Sequence, residues 1–352
     1  GRGLMRFILS GLHLRIAIFS LLLFSVSSAL ASNEKYQRLD LLTNHPEGTE
    51  YLTYKLSYSG LITGFVWKDL ADVSFHILPG EMEFQGIKTC EGIMRLTTEN
   101  HSFAELIHPI RYEWISLSNP GLERTYLVEQ IDRGRSDNHR IVWLDWDKEK
   151  FRFYRKRELK EVEKVEVWDF GGDAEIVYEW DKDGREPVPE FLDRYPPVND
   201  GQLGYLIHDK TENGLETDNA IDPVSLVYKL RQHDFEAQPQ IDLVLTLEKD
   251  IDMYRATYVG KDQIYINKTL VDALVVQVSR TDEEEAKKEG WVKIWFSDDS
   301  ARIPLNFQAE APVGKMRVQI TEQSLKKASG QGRSLPCVKQ VGLSSVSVET
   351  NR

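Results

Sequence analysis

The sequence predicts a mainly β protein, in which a large antiparallel, curved sheet closes into a barrel or half-barrel and carries one packed helix. Three observations support this fold class. Apolar and polar residues alternate with a period of two along many short segments. Turn residues separate these segments at short intervals, as in sandwiches and barrels. Only the segment at about 222–234 combines a clear helix start with apolar residues at helical spacing.

Two segments illustrate the alternation. One face of the segment 51–58 consists of Leu52, Tyr54, Leu56 and Tyr58. The segment 241–248 repeats the pattern with Ile241, Leu243, Leu245 and Leu247. A strand of this kind packs its apolar face on a core and leaves the other face in water, which is typical of antiparallel sheets.

The predicted helix begins with Asp222-Pro223, a capping residue followed by the residue best suited to the first helical position. Tyr228 and Arg231 lie three positions apart and therefore share a face of this helix. They could line a binding groove or fix the helix to the sheet. The second interpretation is favoured, because a single helix in a β protein usually covers the sheet.

Composition excludes some classes of protein. The chain has 352 residues, a formal net charge of -12 and 41% hydrophobic residues, which suffice for a large core. An acidic surface disfavours sequence-independent binding to nucleic acid and electrostatic docking on anionic lipid head groups. The sequence does not indicate an oligomeric state.

The N-terminal region has the pattern of a secretory signal peptide. Arg6 and Arg15 precede an apolar run at 16–26, and Ala29-Leu30-Ala31 follows as a small-residue cleavage box. We predict a signal peptide at 5–31 that is cleaved after Ala31, and hence a periplasmic protein. The apolar run is short for a membrane span, so the mature chain is not expected to cross the bilayer. A single β-rich domain is expected at 32–323 and a disordered tail at 324–352.

Two cysteines, Cys90 and Cys337, are the only ones in the chain. They could form a disulfide in an oxidising compartment, but no spacing pattern supports a bridge, and Cys337 falls in the predicted tail. The sequence therefore favours two free thiols. It contains no metal-binding or cofactor-binding motif, and no metal or cofactor is predicted.

The most distinctive turn contains Asp298, Asp299 and Arg302, directly after an alternating segment. Neighbouring carboxylates beside an arginine could bind a cation, or act as acid and base if burial separated their pKa values. The alternative is a hairpin turn in which the aspartates bond backbone N–H groups and Arg302 pairs with one of them. The turn interpretation is favoured, because such Asp-rich turns arise for purely local reasons.

Trp143 is a further candidate for binding. Trp143 and Trp146 differ by three positions and so fall on opposite faces of a strand. An exposed tryptophan could stack on a sugar ring or contact an acyl chain, whereas burial in the core is the usual fate of a large aromatic residue. Burial is favoured for most of the tryptophans.

Several motifs together resemble one family: the segment 52–60 followed by Gly64, the segment 222–231, the segment 295–304, and Val313-Gly314. The combination is similar to the bacterial secreted family "domain of unknown function 3108". The resemblance implies a β-rich periplasmic protein of Gram-negative bacteria. It implies no reaction and assigns no functional residues.

Three functions remain open. The leading hypothesis is a non-catalytic binding or carrier protein for an envelope component, a lipid or a glycan, because an open barrel can hold an apolar ligand. The second is a hydrolase of envelope glycan or lipid that uses Asp298, Asp299 and Arg302. The third is a structural envelope protein that binds a partner protein through an exposed sheet edge.

Overall fold

The computed structural model describes residues 47–60, 66–80, 82–134, 137–158, 166–170, 173–177, 189–192, 204–213, 215, 217–247, 250–284, 286, 290–311, 314–329, 333 and 335–337. The predicted signal peptide and its cleavage site lie outside these residues.

Antiparallel strands make up most of the described chain. The first eight are β1 (Glu50–Gly60), β2 (Val66–Ile77), β3 (Met82–Phe84), β4 (Ile87–Thr97), β5 (Arg111–Ser118), β6 (Thr125–Arg133), β7 (Asp137–Asp145) and β8 (Lys150–Glu158). The others are β9 (Glu166–Phe170), β10 (Asp173–Val177), β11 (Gly204–Asn213), β12 (Gln240–Leu247), β13 (Asp250–Ile266), β14 (Thr269–Arg280), β15 (Val292–Ser297), β16 (Pro304–Ala311) and β17 (Gly314–Ile320). The helices are α1 (Ser102–Ile107), α2 (Pro223–Gln232) and α3 (Glu322–Ala328), with a 3-10 turn at Glu190–Leu192.

One sheet contains 15 of these strands. Its order is β11-β8-β7-β6-β5-β4-β2-β1-β17-β16-β15-β14-β13-β12, with β3 paired to β4, and β9 and β10 form a separate hairpin. The first and last parts of the domain meet where β1 pairs with β17, for example Tyr54 with Ile320. The sheet is not closed, since β11 and β12 are its edges and do not pair within the described ranges. The predicted mainly β fold is confirmed, in its open form.

A two-residue segment spans the gap between edge strand β12 and the beginning of β6. The Thr125 amide donates to the Ala220 carbonyl at 2.9 Å, and the Ile221 amide donates to the Val244 carbonyl at 3.0 Å. Both contacts belong to parallel bridges, Arg124 to Ala220 and Ile221 to Leu245. The strands that follow one another in the sheet from β6 through β1 and β17 to β12 therefore form an arc around an interior. Helix α2 follows directly after the two-residue segment.

The inner face of the arc forms the main core, and the predicted alternation explains it. Along β1 the residues Leu52, Tyr54 and Leu56 are buried while their neighbours are only partly so. On β12 the buried apolar positions are Leu243, Leu245 and Leu247, again every second residue, and Thr246 is buried between the last two. These side chains and the buried face of α2 belong to one continuous apolar cluster.

The C-terminal region corrects two expectations. Cys90 and Cys337 form a disulfide with a Cα–Cα distance of 5.5 Å, so the expectation of two free thiols was wrong. The disordered tail predicted from 324 is also wrong in its first part. Helix α3 forms there, capped by the Thr321 hydroxyl, and Leu335 is buried in the core. No local pattern predicts this ordering, because the tail is held by a disulfide to a cysteine 247 positions away.

Candidate functional site

Helix α2 lies inside the arc of strands and defines the candidate site. Asp222 caps it, because its Oδ1 accepts the Val224 amide at 2.8 Å, and Pro223 occupies the first turn without needing a donor. The Asp222 Oδ2 also accepts the hydroxyls of Ser225 at 2.7 Å and Thr125 at 2.8 Å. The predicted helix is confirmed, and its first residue is bonded to the sheet as well as to the helix.

Two further side chains from β5 reach the same carboxylate. Trp114 donates its indole Nε1–H to the Asp222 Oδ1 at 3.2 Å, and the Ser116 hydroxyl donates to Oδ2. Asp222 is fully buried. A buried carboxylate is stable only where hydrogen bonds replace its lost water, and this ring of donors supplies them.

The C-terminal end of α2 has its own buried anchor. Arg231 Nη1 donates to both carboxylate oxygens of Glu50, at 2.6 and 2.7 Å, and its Nε donates to the Ala301 carbonyl at 2.8 Å. Burial raises the pKa of the Tyr228 hydroxyl well above its usual value, and the Glu50 charge raises it further. The two anchors fix α2 to β5 and β6 at one end and to β1 and the turn before β16 at the other.

Between α2 and the surrounding strands lies an apolar cavity of about 70 Å³. Its lining residues are Leu56, Val73, Phe75, Met94, Leu96, Tyr112, Pro223, Leu226, Val227, Val278, Val292, Ile294, Phe307 and Val318. Apart from the Tyr112 hydroxyl, their side chains carry no polar atom. The arrangement can hold an apolar group, and its lining offers that group no carboxylate, imidazole, thiol or amine.

Tyr228 and Arg231, two of the predicted binding residues, are buried in the helix–sheet contact. Arg231 has the fixing role that the sequence favoured, and Tyr228 packs in the same core. Trp143 is 9% exposed and packs edge-on against Phe191 at 4.9 Å between ring centroids. It belongs to a separate apolar cluster and does not line the cavity.

Asp298 and Asp299 have different partners, and the structure does not bring them together around one ligand position. The Asp299 Oδ1 accepts the Ser297 hydroxyl at 2.8 Å and the Ala301 and Arg302 amides at 2.9 and 3.1 Å. Asp298 forms an ion pair of 2.7 Å with Lys261 of β13. The backbone contacts of Asp299 match the turn interpretation, but no ion pair joins the Arg302 side chain to either aspartate among the described residues.

Sequence reasoning missed the residues that line the cavity and the hydroxyls around Asp222. The lining residues were visible only as the apolar half of the alternating pattern, which does not distinguish a filled core from a hollow one. Ser116, Ser118 and Thr125 also alternate along β5 and β6, and this inward polar run was the available signal.

The described residues contain neither a metal-binding cluster nor a helix that could span a membrane. No group of three or more His, Cys, Asp or Glu side chains is placed to hold a metal ion in the described part of the chain. In the same part, every helix is too short or too polar to span a bilayer.

Residues 151–321 match the family model described as "Protein of unknown function (DUF3108)". The match confirms the resemblance over a region that includes the segments 222–231 and 295–304, whereas the segment 52–60 precedes it. No curated protein matches the chain. Among solved structures, the chain is similar to a β-barrel-like protein of domain of unknown function DUF1849 from Brucella abortus, with a TM-score of 0.33 and 10% identity. That alignment covers 77% of this chain and 94% of the other.

Proposed function

We propose that this protein is a non-catalytic periplasmic binding or carrier protein that takes the apolar chain of an envelope lipid into its interior. The observation that carries the proposal is the cavity of about 70 Å³ between α2 and the strands. Its walls favour a lipid over a glycan, because a sugar would leave its hydroxyls without partners against apolar side chains. An apolar cavity of this kind stays dry and binds apolar ligands.

The size of the cavity sets the expected affinity. One water-sized group needs about 10–15 Å³ of such space, so the cavity has room for about five such groups. Burying a methylene group contributes about 0.8 kcal/mol, and five contribute about 4 kcal/mol. That corresponds to a dissociation constant of about 1 mM before any cost of ordering the ligand. Tighter binding of a longer chain requires α2 or the surrounding strands to move apart.

We expect delipidated protein to bind fatty acids, with affinity that rises with chain length until the cavity is filled. Val227→Phe, which places a ring in the cavity, is expected to weaken binding at least ten-fold. The matched control is Val259→Phe, because Val259 lies on β13 with 54% exposure and faces away from the cavity. Calorimetric titration with fatty acids from propionate to octanoate measures both effects, because this series includes chains shorter and longer than the cavity can hold. Absence of binding by the unmodified protein, or equal affinity in both variants, would contradict the proposal.

The periplasmic location rests on two independent features, the predicted signal peptide at 5–31 and the disulfide. Disulfides persist in the periplasm and are rare in the cytosol. Expression of the full chain in a Gram-negative host should give a periplasmic protein that begins at Ser32 and has Cys90 joined to Cys337. Deletion of 5–31 should leave the protein in the cytosol with both thiols open to alkylation. N-terminal sequencing and intact mass after alkylation test this, and a retained leader or alkylated cysteines in the periplasmic form would refute it.

A further inference from the structure

Arg302 is in an unusual state at the turn between β15 and β16. Arg302 is 6% exposed, and its backbone has a φ of 49°. The Nε of its guanidinium group is buried and has no hydrogen-bond partner among the described residues. A left-handed backbone at a residue other than glycine is uncommon, and a covered guanidinium without an anion is costly. The surrounding structure imposes both conditions on the same residue.

The backbone around Arg302 is held from two sides. Arg231 Nε bonds the Ala301 carbonyl from the interior at 2.8 Å, and Arg333 Nε bonds the Ser300 carbonyl at 3.0 Å. The Arg302 amide itself donates to the Asp299 Oδ1 at 3.1 Å. The position of the Arg302 side chain is therefore set by its neighbours and not by an ion pair of its own.

The carboxylates near Arg302 are already used by other groups. Asp299 serves the backbone of the turn. Lys261 lies 2.7 Å from Asp298 and 3.7 Å from Glu236. Asp234 accepts two backbone amides of its own loop, at 3.1 and 3.2 Å. Within the described ranges, Arg302 therefore has no salt bridge.

Arg333 brings a second cation to the same turn. It precedes Cys337 by four positions, so the disulfide to Cys90 keeps this part of the chain against the domain. Among the described residues, Arg333 bonds to the turn through its Nε, which leaves its two terminal nitrogens as donors for a ligand. Burial lowers the pKa of the Arg302 guanidinium and the neighbouring Arg333 charge lowers it further, whereas the charges of Glu236, Asp298 and Asp234 act in the opposite direction.

We propose that Arg302 and Arg333 form an anion site that binds a phosphate group. Guanidinium groups bond phosphate oxygens with their paired N–H donors, and they do so more strongly than neutral donors. Two guanidinium charges match the double charge of a phosphate monoester near neutral pH better than the single charge of a carboxylate. The site lies on the β15–β16 turn and does not include the residues of the apolar cavity.

The test is a calorimetric titration of the mature, disulfide-bonded protein with inorganic phosphate at low ionic strength. We expect saturable binding that Arg302→Gln and Arg333→Gln each weaken at least ten-fold. The control is Arg317→Gln, because Arg317 is an exposed arginine on β17 and should not affect binding. Arg333 lies at the periphery, so Arg333→Gln provides the test even if Arg302→Gln unfolds the protein.

The source of the phosphate is distinguished by co-sedimentation with vesicles. Arginine-dependent binding to phosphatidate vesicles, and not to phosphatidylcholine vesicles, would identify a lipid head group. Binding of inorganic phosphate alone would identify the free ion, and both outcomes support the site. No saturable binding, equal affinity in the wild type and both variants, or acetate binding as tightly as phosphate would overturn the proposal. Fatty-acid binding can succeed or fail independently of all these results.

Discussion

Asp222→Ala is expected to lower the free energy of unfolding by about 4 kcal/mol or more. Loss of the helix cap costs about 1 kcal/mol. The larger part comes from the buried donors that lose their acceptor, since each costs about 1–3 kcal/mol when left unpaired. The Thr125 hydroxyl, the Ser116 hydroxyl and the Trp114 indole all donate to this one carboxylate. Urea unfolding, monitored by circular dichroism, measures this change. The midpoint urea concentration should fall, while the dependence of the unfolding free energy on urea concentration stays the same.

Asp234→Ala is the matched control. Asp234 also accepts two backbone amides, from Glu236 and Ala237, but it is exposed and its partners can turn to water. Its replacement is expected to cost no more than about 1 kcal/mol. If both substitutions have the same small effect, the buried ring of donors does not anchor α2, and Asp222 acts as a helix cap alone.

The contrast between Asp222 and its partners shows what the sequence could predict. The cap and the helix follow from neighbouring residues, Asp222 and Pro223 with the apolar spacing after them, and both were predicted. The donors on β5 and β6 lie 97 to 108 positions away, and no local pattern indicates that they meet Asp222. The interior position of α2 depends on the same long-range contacts, so it could not be read from its own residues.

The turn at 297–303 shows the same limit at shorter range. Asp299 bonds the Ala301 and Arg302 amides, which the Asp-rich sequence predicted. The expected pairing of the Arg302 side chain with an aspartate is wrong, because Asp298 forms its ion pair with Lys261 of β13. The approach of Arg333 depends on the disulfide, whose two cysteines lie 247 positions apart.

Arg231→Met is expected to cost about 3–5 kcal/mol, because it leaves the Glu50 carboxylate buried without its cation. The Ala301 carbonyl loses its donor as well. Replacing both partners, by Glu50→Leu together with Arg231→Met, should cost clearly less than the sum of the single changes, since an apolar pair leaves no buried charge. A double-mutant cycle based on urea unfolding isolates this coupling.

The exposed pair Asp242–Arg255 gives a control with the same closest distance and different burial. Its closest N–O distance is 2.6 Å, as in the Glu50–Arg231 pair, but its side chains are 44% and 47% exposed. Arg255→Met is therefore expected to cost less than about 1 kcal/mol. Equal effects of Arg231→Met and Arg255→Met would mean that burial does not set the strength of the α2 anchor. In the expected case, Arg231→Met should also weaken fatty-acid binding, because the cavity wall formed by α2 loses one of its two attachments to the sheet.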